Sequence, residues 1–438
     1  MKLLPLSHWN KYRNAVQWIE NLSGLKRSAA YGSDAHPRKA RARLERFMAL
    51  LGNPHKGFKI VHVTGTSGKG STAMMVGNIL RSAGKRTGIY VSPHTTTTIE
   101  RFHGPDGRLM KPALFVELVE RLKPIVEHMD TLPEGTPSYL EMMVGLAFLF
   151  FKHERCEWVV LEVGMGGARD ATNIISPPQV AAITPIDIDH AHLIGPSLAN
   201  IAREKSGIIK RGTHVFSSER RPSLRRILEK HCQRVNAHWH DIPEELPPTV
   251  APSMIGEHQR HNAALAWAIG RHLKLPVNAL THGIQVAQLP CRFETVQKKP
   301  MVILDGGHNA LAIRALAKKL QAIPPQRLVL VVALAETKNA PLILHELPPA
   351  RHLVFTRFIS SRSSYSPGSL QRILKAEGLT RRYGSVATDL DADHAVDAVL
   401  AHTRRTDTVV ITGSLYLTGE LRKRWISEEK ILKCRSSF

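Results

Sequence analysis

The chain has 438 residues, 43% of them hydrophobic, which is enough to bury a large core and excludes a disordered polymer. Its formal charge is +23, but the 60 Lys and Arg are scattered rather than gathered into one tail, so nucleic acid is not the expected partner. The four cysteines (Cys156, Cys232, Cys291, Cys434) form no CxxC pair and lack zinc spacing, as expected of reduced thiols in a cytoplasmic protein.

The N-terminus, MKLLPLSHWNKY, lacks the apolar run of a signal peptide, and amphipathic helices are expected at NAVQWIENL and ARLERFMALLG. Next comes VHVTGTSGKGST, Val61–Thr72. Ile60, Val61 and Val63 are β-branched and alternate with His62, as in a buried strand. Gly65, Gly68 and Gly70 permit backbone angles that a Cβ forbids, and the run from Ser71 to Gly84 has helical spacing. A strand, a glycine loop and a helix start in that order aim backbone N–H groups at an anion. Lys69 would reach outer phosphates, and the Ser71 hydroxyl would help hold them or their metal. The loop differs from GxxxxGK[ST] because Gly70 stands between Lys69 and the first hydroxyl.

Further on, MMVGLAFLFF is too short to cross a bilayer, which takes about 20 residues. Strand-like runs then alternate with helical ones through RTGIYV, WVVLEVG, QVAAITPI and THVFSS, the signature of a mostly parallel α/β sheet. Glu162 closes one strand, and Asp187, Asp189, His190 and His192 follow another. Lys69, Glu162 and His190 would therefore share the carboxyl edge of one sheet, where ligands of open α/β sheets bind. A carboxylate there suits Mg²⁺ beside nucleotide phosphates. Taken singly, each of these residues reads equally as a capped strand end. Prolines and charges around QLPCRFETVQKKP suggest a linker over 289–300, and a second α/β alternation starts at MVILDGG. The expected architecture is an N-terminal P-loop-type ATPase domain with a mostly parallel sheet, 1–295. A smaller Rossmann-like α/β domain, 296–438, follows it. Two such domains with a crevice between them suit an enzyme that joins two ligands.

The motifs HVTGTSGKGST, YVSPH, LEVGMGGARDATN, DHAHLIGPSLANIAREKSGIIK, GEHQRHNAALA, CRFE, ILDGGHN and ITGSLY occur in this order. Together they resemble the folylpolyglutamate synthases and dihydrofolate synthases of the Mur-ligase superfamily, over nearly the whole chain. The resemblance implies that Gly68, Lys69, Gly70 and Ser71 hold ATP, with Asn262, Arg292 and Asp305 as base, phosphate and ribose contacts. It implies Mg²⁺ at Ser92, Glu162 and His190, and a carbamylated lysine at Lys205. His308 and Ser414 match residues near the incoming L-glutamate. Asp170 and Tyr139, Leu140 and Glu141 match places where the pterin-bearing substrate lies. Read without the resemblance, Asn262 is a helix cap, Arg292 a surface charge and Lys205 an ordinary helical lysine. The chain departs from the family pattern at Ser67, at Thr95–Thr98 after SPH, at KARAR before the first LER, and at Thr337–Asn339.

The implied reaction is ATP-dependent addition of L-glutamate to a folate-type carboxylate, dihydropteroate or tetrahydrofolate. The catalytic residues would be Lys69, Lys205 and His308, in a monomeric cytoplasmic enzyme with no membrane partner. Two alternatives stand beside it: a ligase of the same superfamily with a non-folate acceptor, and a non-catalytic relative that binds nucleotide or nucleic acid.

Overall fold

The computed structural model describes residues 6–24, 37–188, 191–242, 246–359 and 363–438. Two compact units form. One comprises the chain up to His94, Thr98–Ser253 and Gln259–Gln288; the other comprises Thr95–Thr97, Met254–His258 and Leu289–Phe438.

The first unit is built on seven strands. In chain order these are β1 Lys59–Thr64, β2 Thr87–Tyr90, β3 Phe102–His103, β4 Trp158–Glu162, β5 Val180–Ile183, β6 His214–Ser217 and β7 His238–His240. Their order across the sheet is β3-β2-β4-β1-β5-β6-β7, and only the β2–β3 pair is antiparallel. β1 emerges from one exposed lysine and is then buried along its length, as a parallel strand covered on both faces must be. Behind β5 and β6, Ala181, Ile183 and Val215 pack against Ile201, Ile208, Leu224 and Leu228. The apolar run MMVGLAFLFF lies in the helix Tyr139–His153, which is buried from Glu141 through Phe151. A helix apolar on every side belongs inside a core. Among the described residues, no helix is long and apolar enough to cross a membrane.

The second unit holds β8 Glu294–Lys298, β9 Met301–Asp305, β10 Leu328–Val332, β11 Ala350–Phe355, β12 Tyr383–Thr388 and β13 Thr408–Thr412, in the order β12-β11-β10-β13-β9-β8. Strand alternation sorts its core into two layers. Ile303, Leu330, Val332, Leu353 and Val410 meet helices Ala310–Leu320, Ala340–Glu346 and Pro367–Ala376 on one face. Val302, Leu304, Val329, Val331, Val409 and Ile411 meet helices Ala392–Ala401 and Leu415–Arg422 on the other.

The linker expected over 289–300 needs correction. Residues 294–298 are β8, an antiparallel edge strand on β9. Its side chains are only half-buried or exposed, so it carries no apolar run to advertise it. The departure at Thr337–Asn339 has a structural use: Asn339 caps the helix Ala340–Glu346, its side chain accepting from Leu342 N at 3.1 Å. Asn and Asp serve that position about equally.

Candidate active site

The glycine loop forms as its spacing suggests. β1 ends at Thr64, and the helix Lys69–Ser82 begins directly after Gly68, which sits at φ +89°. Gly68 stands at the N-cap and brings no side chain of its own to the first N–H groups of this helix, a helix start of the kind that binds anions. Lys69 Nζ folds back onto Thr66 O at 3.2 Å. The loop is pinned from both sides: Thr64 Oγ1 donates to Gly166 O at 2.7 Å, and Thr66 Oγ1 donates to Asp187 O at 3.0 Å. Asn262 is 3% exposed, inside the helix Glu257–His272, and so is not a cap. A Cβ on Gly68 would stand 2.4 Å from Asn262 Oδ1. Gly68→Ala therefore meets both a clash and a left-handed backbone, and loses about 1–3 kcal/mol of stability. ATP affinity falls with it. Urea unfolding and nucleotide titration of the variant check both effects, and wild-type values in each would refute the constraint.

Strand register brings the next groups to the loop. Val63 pairs with Glu162 and Thr64 with Ile183, so the ends of β4 and β5 flank the glycine loop. Glu162 is 5% exposed, and one oxygen accepts from Ser92 N at 2.8 Å. Lys205 is buried at 4% exposure and donates to Gly65 O at 2.6 Å, which rules out a surface lysine. His190 lies outside the described residues, as does Asp189, so the third expected metal position has no structural description.

Asp170 anchors the glycine-rich turn that follows β4. Its carboxylate accepts from Met165 N at 3.0 Å, Thr172 N at 2.9 Å and Thr172 Oγ1 at 2.6 Å. Burial raises its pKa, and those hydrogen bonds act against the rise. Since Thr172 donates its proton to Asp170, it accepts from His62 Nε2 at 2.8 Å, which keeps that ring a neutral Nε2–H tautomer. Burial, with Lys210 adding to it, pushes His62 down to about 3.

Tyr139, Leu140 and Glu141 open the helix Tyr139–His153. Glu141 completes a capping box with Ser138 and takes a forked ion pair from Arg43 at 2.9 and 3.0 Å. Arg43 belongs to the KARAR departure, so that change supplies a partner to a buried carboxylate. Sequence reading missed Arg101. Its guanidinium lies 5.6 Å from the Tyr139 ring centre and donates to His94 Nδ1 at 3.1 Å. Tyr90 borders the same group and is pushed up to about 12 by burial, with Arg101 opposing and Tyr139 and Asp170 adding.

In the second unit, Asp305 ends β9 and faces the last residue of β13, Thr412. Its carboxylate accepts from Phe293 N at 3.0 Å and Gly307 N at 2.9 Å. Burial raises its pKa, while the charges of Lys319 and Arg292 pull it back. Lys319 was not foreseen. Its ammonium lies 4.6 Å from the Phe293 ring centre. His308 Nδ1 meets Gly306 O at 2.9 Å. Ser414 is 3% exposed and caps the helix Leu415–Arg422 by accepting from Tyr416 N at 3.1 Å. The candidates thus fall into two groups. Gly68, Lys69, Gly70, Ser71, Ser92, Glu162, Lys205 and Asn262 gather at one sheet edge; Arg292, Asp305, His308 and Ser414 gather at another.

The first group can bind a phosphate chain and a hard cation; the second offers a cation-flanked carboxylate and a buried hydroxyl. Known families match the same two regions. The Mur ligase middle domain matches residues 63–235, and the Mur ligase glutamate ligase domain matches residues 291–415. A dihydrofolate synthase/folylpolyglutamate synthase of Bacillus subtilis is 30% identical over 413 residues, covering 87% of this chain and 94% of the relative. One from Mycobacterium tuberculosis is 31% identical over 434 residues, covering 87% and 88%. The solved structure of Mycobacterium tuberculosis folylpolyglutamate synthase complexed with ADP superposes with a TM-score of 0.84 at 27% identity, covering 95% of this chain and 99% of that one. With the loop, the strand-end carboxylates and both domains agreeing, the chain belongs to the folylpolyglutamate synthase/dihydrofolate synthase family of Mur ligases.

Proposed function

We propose that this chain joins L-glutamate to a pterin-bearing carboxylate, dihydropteroate or a reduced folate, through an acyl phosphate made from ATP. As a member of its family it is an ATP-dependent acid–amino-acid ligase. The observation that carries the reading is the glycine loop that leads directly into the helix start at Lys69, with Glu162 and Lys205 buried beside the same loop.

In the first step an oxygen of the acceptor carboxylate attacks the γ-phosphorus and ADP leaves with the bridging electrons. The glutamate amine then attacks the acyl carbon, and phosphate and a proton leave. Phosphoryl transfer of this kind depends on positioning and charge stabilisation. We assign Gly68, Lys69, Gly70 and Ser71 to the phosphates, and Asn262, Arg292 and Asp305 to the rest of the nucleotide. His308 and Ser414 are assigned to glutamate, and Tyr139, Leu140, Glu141 and Asp170 to the acceptor side. Glu141 and Asp170 already bind protein donors, so both act by shaping that side rather than by holding substrate. The Glu162 carboxylate and Ser92 hydroxyl are oxygen donors of the kind Mg²⁺ takes, and they fit the ion. When bound, Mg²⁺ would neutralise charge gathering on the phosphates. Four free cysteines suit a cytoplasmic enzyme, and a monomer is the working state we assign. Glutamate-dependent ADP release, measured with dihydropteroate, tetrahydrofolate and non-folate carboxylates, tests the proposal. Turnover with a pterin-bearing acceptor is expected; turnover confined to a non-folate acceptor would overturn the substrate assignment.

Lys205 is proposed to work as a carbamate. Its neutral amine adds CO₂ and releases a proton, turning a cation into an anion next to the metal position. The remaining N–H still serves Gly65 O, so the observed contact survives the modification. Lys205→Ala should lose activity that bicarbonate cannot restore, while a short-chain carboxylate recovers part of it. Protein equilibrated with ¹³CO₂ should show one carbamate resonance that the variant lacks. Full activity in CO₂-free buffer without that resonance would sink the assignment.

A further inference from the structure

Far along the sheet of the first unit, three histidines from distant parts of the chain converge. His214 starts β6, His240 ends β7, and His272 ends the helix Glu257–His272. One ring nitrogen of each lies within 4.8 Å of those of the other two. Ring centres are 5.0 Å apart for His214–His240, 4.3 Å for His214–His272 and 4.6 Å for His240–His272. We propose that His214, His240 and His272 form a binding site for a borderline divalent transition ion of the Zn²⁺ class, with a fourth position open to solvent.

The donor set selects the ion. Three imidazoles without a carboxylate suit Zn²⁺, Co²⁺, Ni²⁺ or Cu²⁺, whereas Mg²⁺ and Ca²⁺ demand oxygen. The geometry is close to what coordination needs. With Zn–N bonds of about 2.0–2.1 Å, tetrahedral ligands stand about 3.3 Å apart. His214 Nδ1 and His240 Nε2 are 2.8 Å apart, so they must separate by only about half an ångström. His272, whose nitrogen lies within 4.8 Å of the other two, must close in by up to about 1.5 Å, which side-chain rotation would supply. The plain alternative is an aromatic stack, since Phe216 lies parallel to His240 at 4.7 Å and His238 stacks on His214 at 5.0 Å. Stacking explains ring planes. A His214–His240 hydrogen bond would bring two of the nitrogens together, but neither it nor stacking requires a His272 nitrogen within 4.8 Å of both. Burial and the neighbouring rings lower the pKa of His214, His240 and His272, which favours the neutral, lone-pair-bearing form.

A cavity of about 390 Å³ opens beside the cluster, lined in part by His214, His272, Arg211, Pro177 and Pro178. It leaves room for a water or small anion as fourth ligand, the pattern of an open rather than a closed site. Arg211 on that wall and Lys274 beyond His272 are cationic, so affinity is expected below that of closed four-ligand sites. The ion would tie β7, a three-residue edge strand, to β6 and to the helix end.

The test uses the full-length, untagged chain, stripped with chelator and held in millimolar Mg²⁺ to fill oxygen sites. Titration with Co²⁺, read by visible absorption, and with Zn²⁺, read by calorimetry, should each saturate at one equivalent per chain. Zn²⁺ should raise Tm by at least about 3 °C, because the ion binds only the folded arrangement. His240→Gln and His272→Gln should each weaken binding at least about tenfold and remove the Tm rise. If His240→Gln fails to fold, His272→Gln in the last helical turn supplies the comparison. Absence of saturable binding, or one-equivalent binding that survives the His272 substitution, would overturn the site.

Discussion

Lys69→Ala should lower the glutamate ligation rate by about 10²–10³-fold or more, the usual cost of removing one preorganised charge contact to a reacting group. Stability should change little. Lys69 is half-buried, and its ammonium makes a 3.2 Å bond to Thr66 O. A bond of that kind contributes about 1 kcal/mol. The helix start keeps its backbone N–H groups in the variant, so ADP binding should weaken less than turnover. Comparing nucleotide affinity, single-turnover ADP formation and urea unfolding separates these effects. Near-normal single-turnover rates would show that the loop holds phosphate by backbone alone and that Lys69 is not part of the reaction. Lys69→Arg keeps the charge but not the compact ammonium, and should restore only part of the rate.

The strand–loop–helix unit was legible because all of its signals are local. β-Branched residues precede the glycines, and a helical run follows them within one stretch of chain. The strand end at Glu162 was legible as a polar residue closing an apolar run, whereas Asp305 came only with the family resemblance. Asn262 was not legible from spacing alone, because its contact with Gly68 joins residues almost two hundred positions apart. β8 escaped notice since an edge strand with half-wet side chains needs neither an apolar run nor strict alternation. Thr95–Thr97, part of the departure after SPH, belong to the second compact unit, where a Cβ on Gly419 would stand 2.1 Å from Thr95 O. In the run LRKRW, Lys423 and Arg424 are exposed, Arg424 pairing with Asp393 and Asp397 at the surface, while Arg422 is buried. A sequence lists charges but does not say which of them fold inward.

Arg422 is the extreme case, and its removal should cost the most stability. Its side chain is fully buried, at 0% exposure, and its guanidinium grips Glu294 through contacts of 2.8 to 3.0 Å. It also donates to Thr96 Oγ1 at 3.1 Å and to Ser437 O. Glu294 in turn accepts from Cys291 N at 2.8 Å, which fixes the turn that carries Arg292. Arg422→Ala leaves the Glu294 carboxylate buried without its counter-charge, and breaking such a pair costs about 3–5 kcal/mol. For a unit of this size that corresponds to a fall in Tm of roughly 10 °C. Glu294→Ala strands the opposite charge and should cost a similar amount. The double variant should be far less destabilised than the sum of the two, since neither charge is then left alone. Arg422→Lys keeps the sign but loses the planar fork, so it should recover only part of the loss. Thermal unfolding of the four variants closes the cycle. Additive losses would mean that Arg422 and Glu294 act independently, and that packing rather than charge pairing ties β8 to the helix Leu415–Arg422.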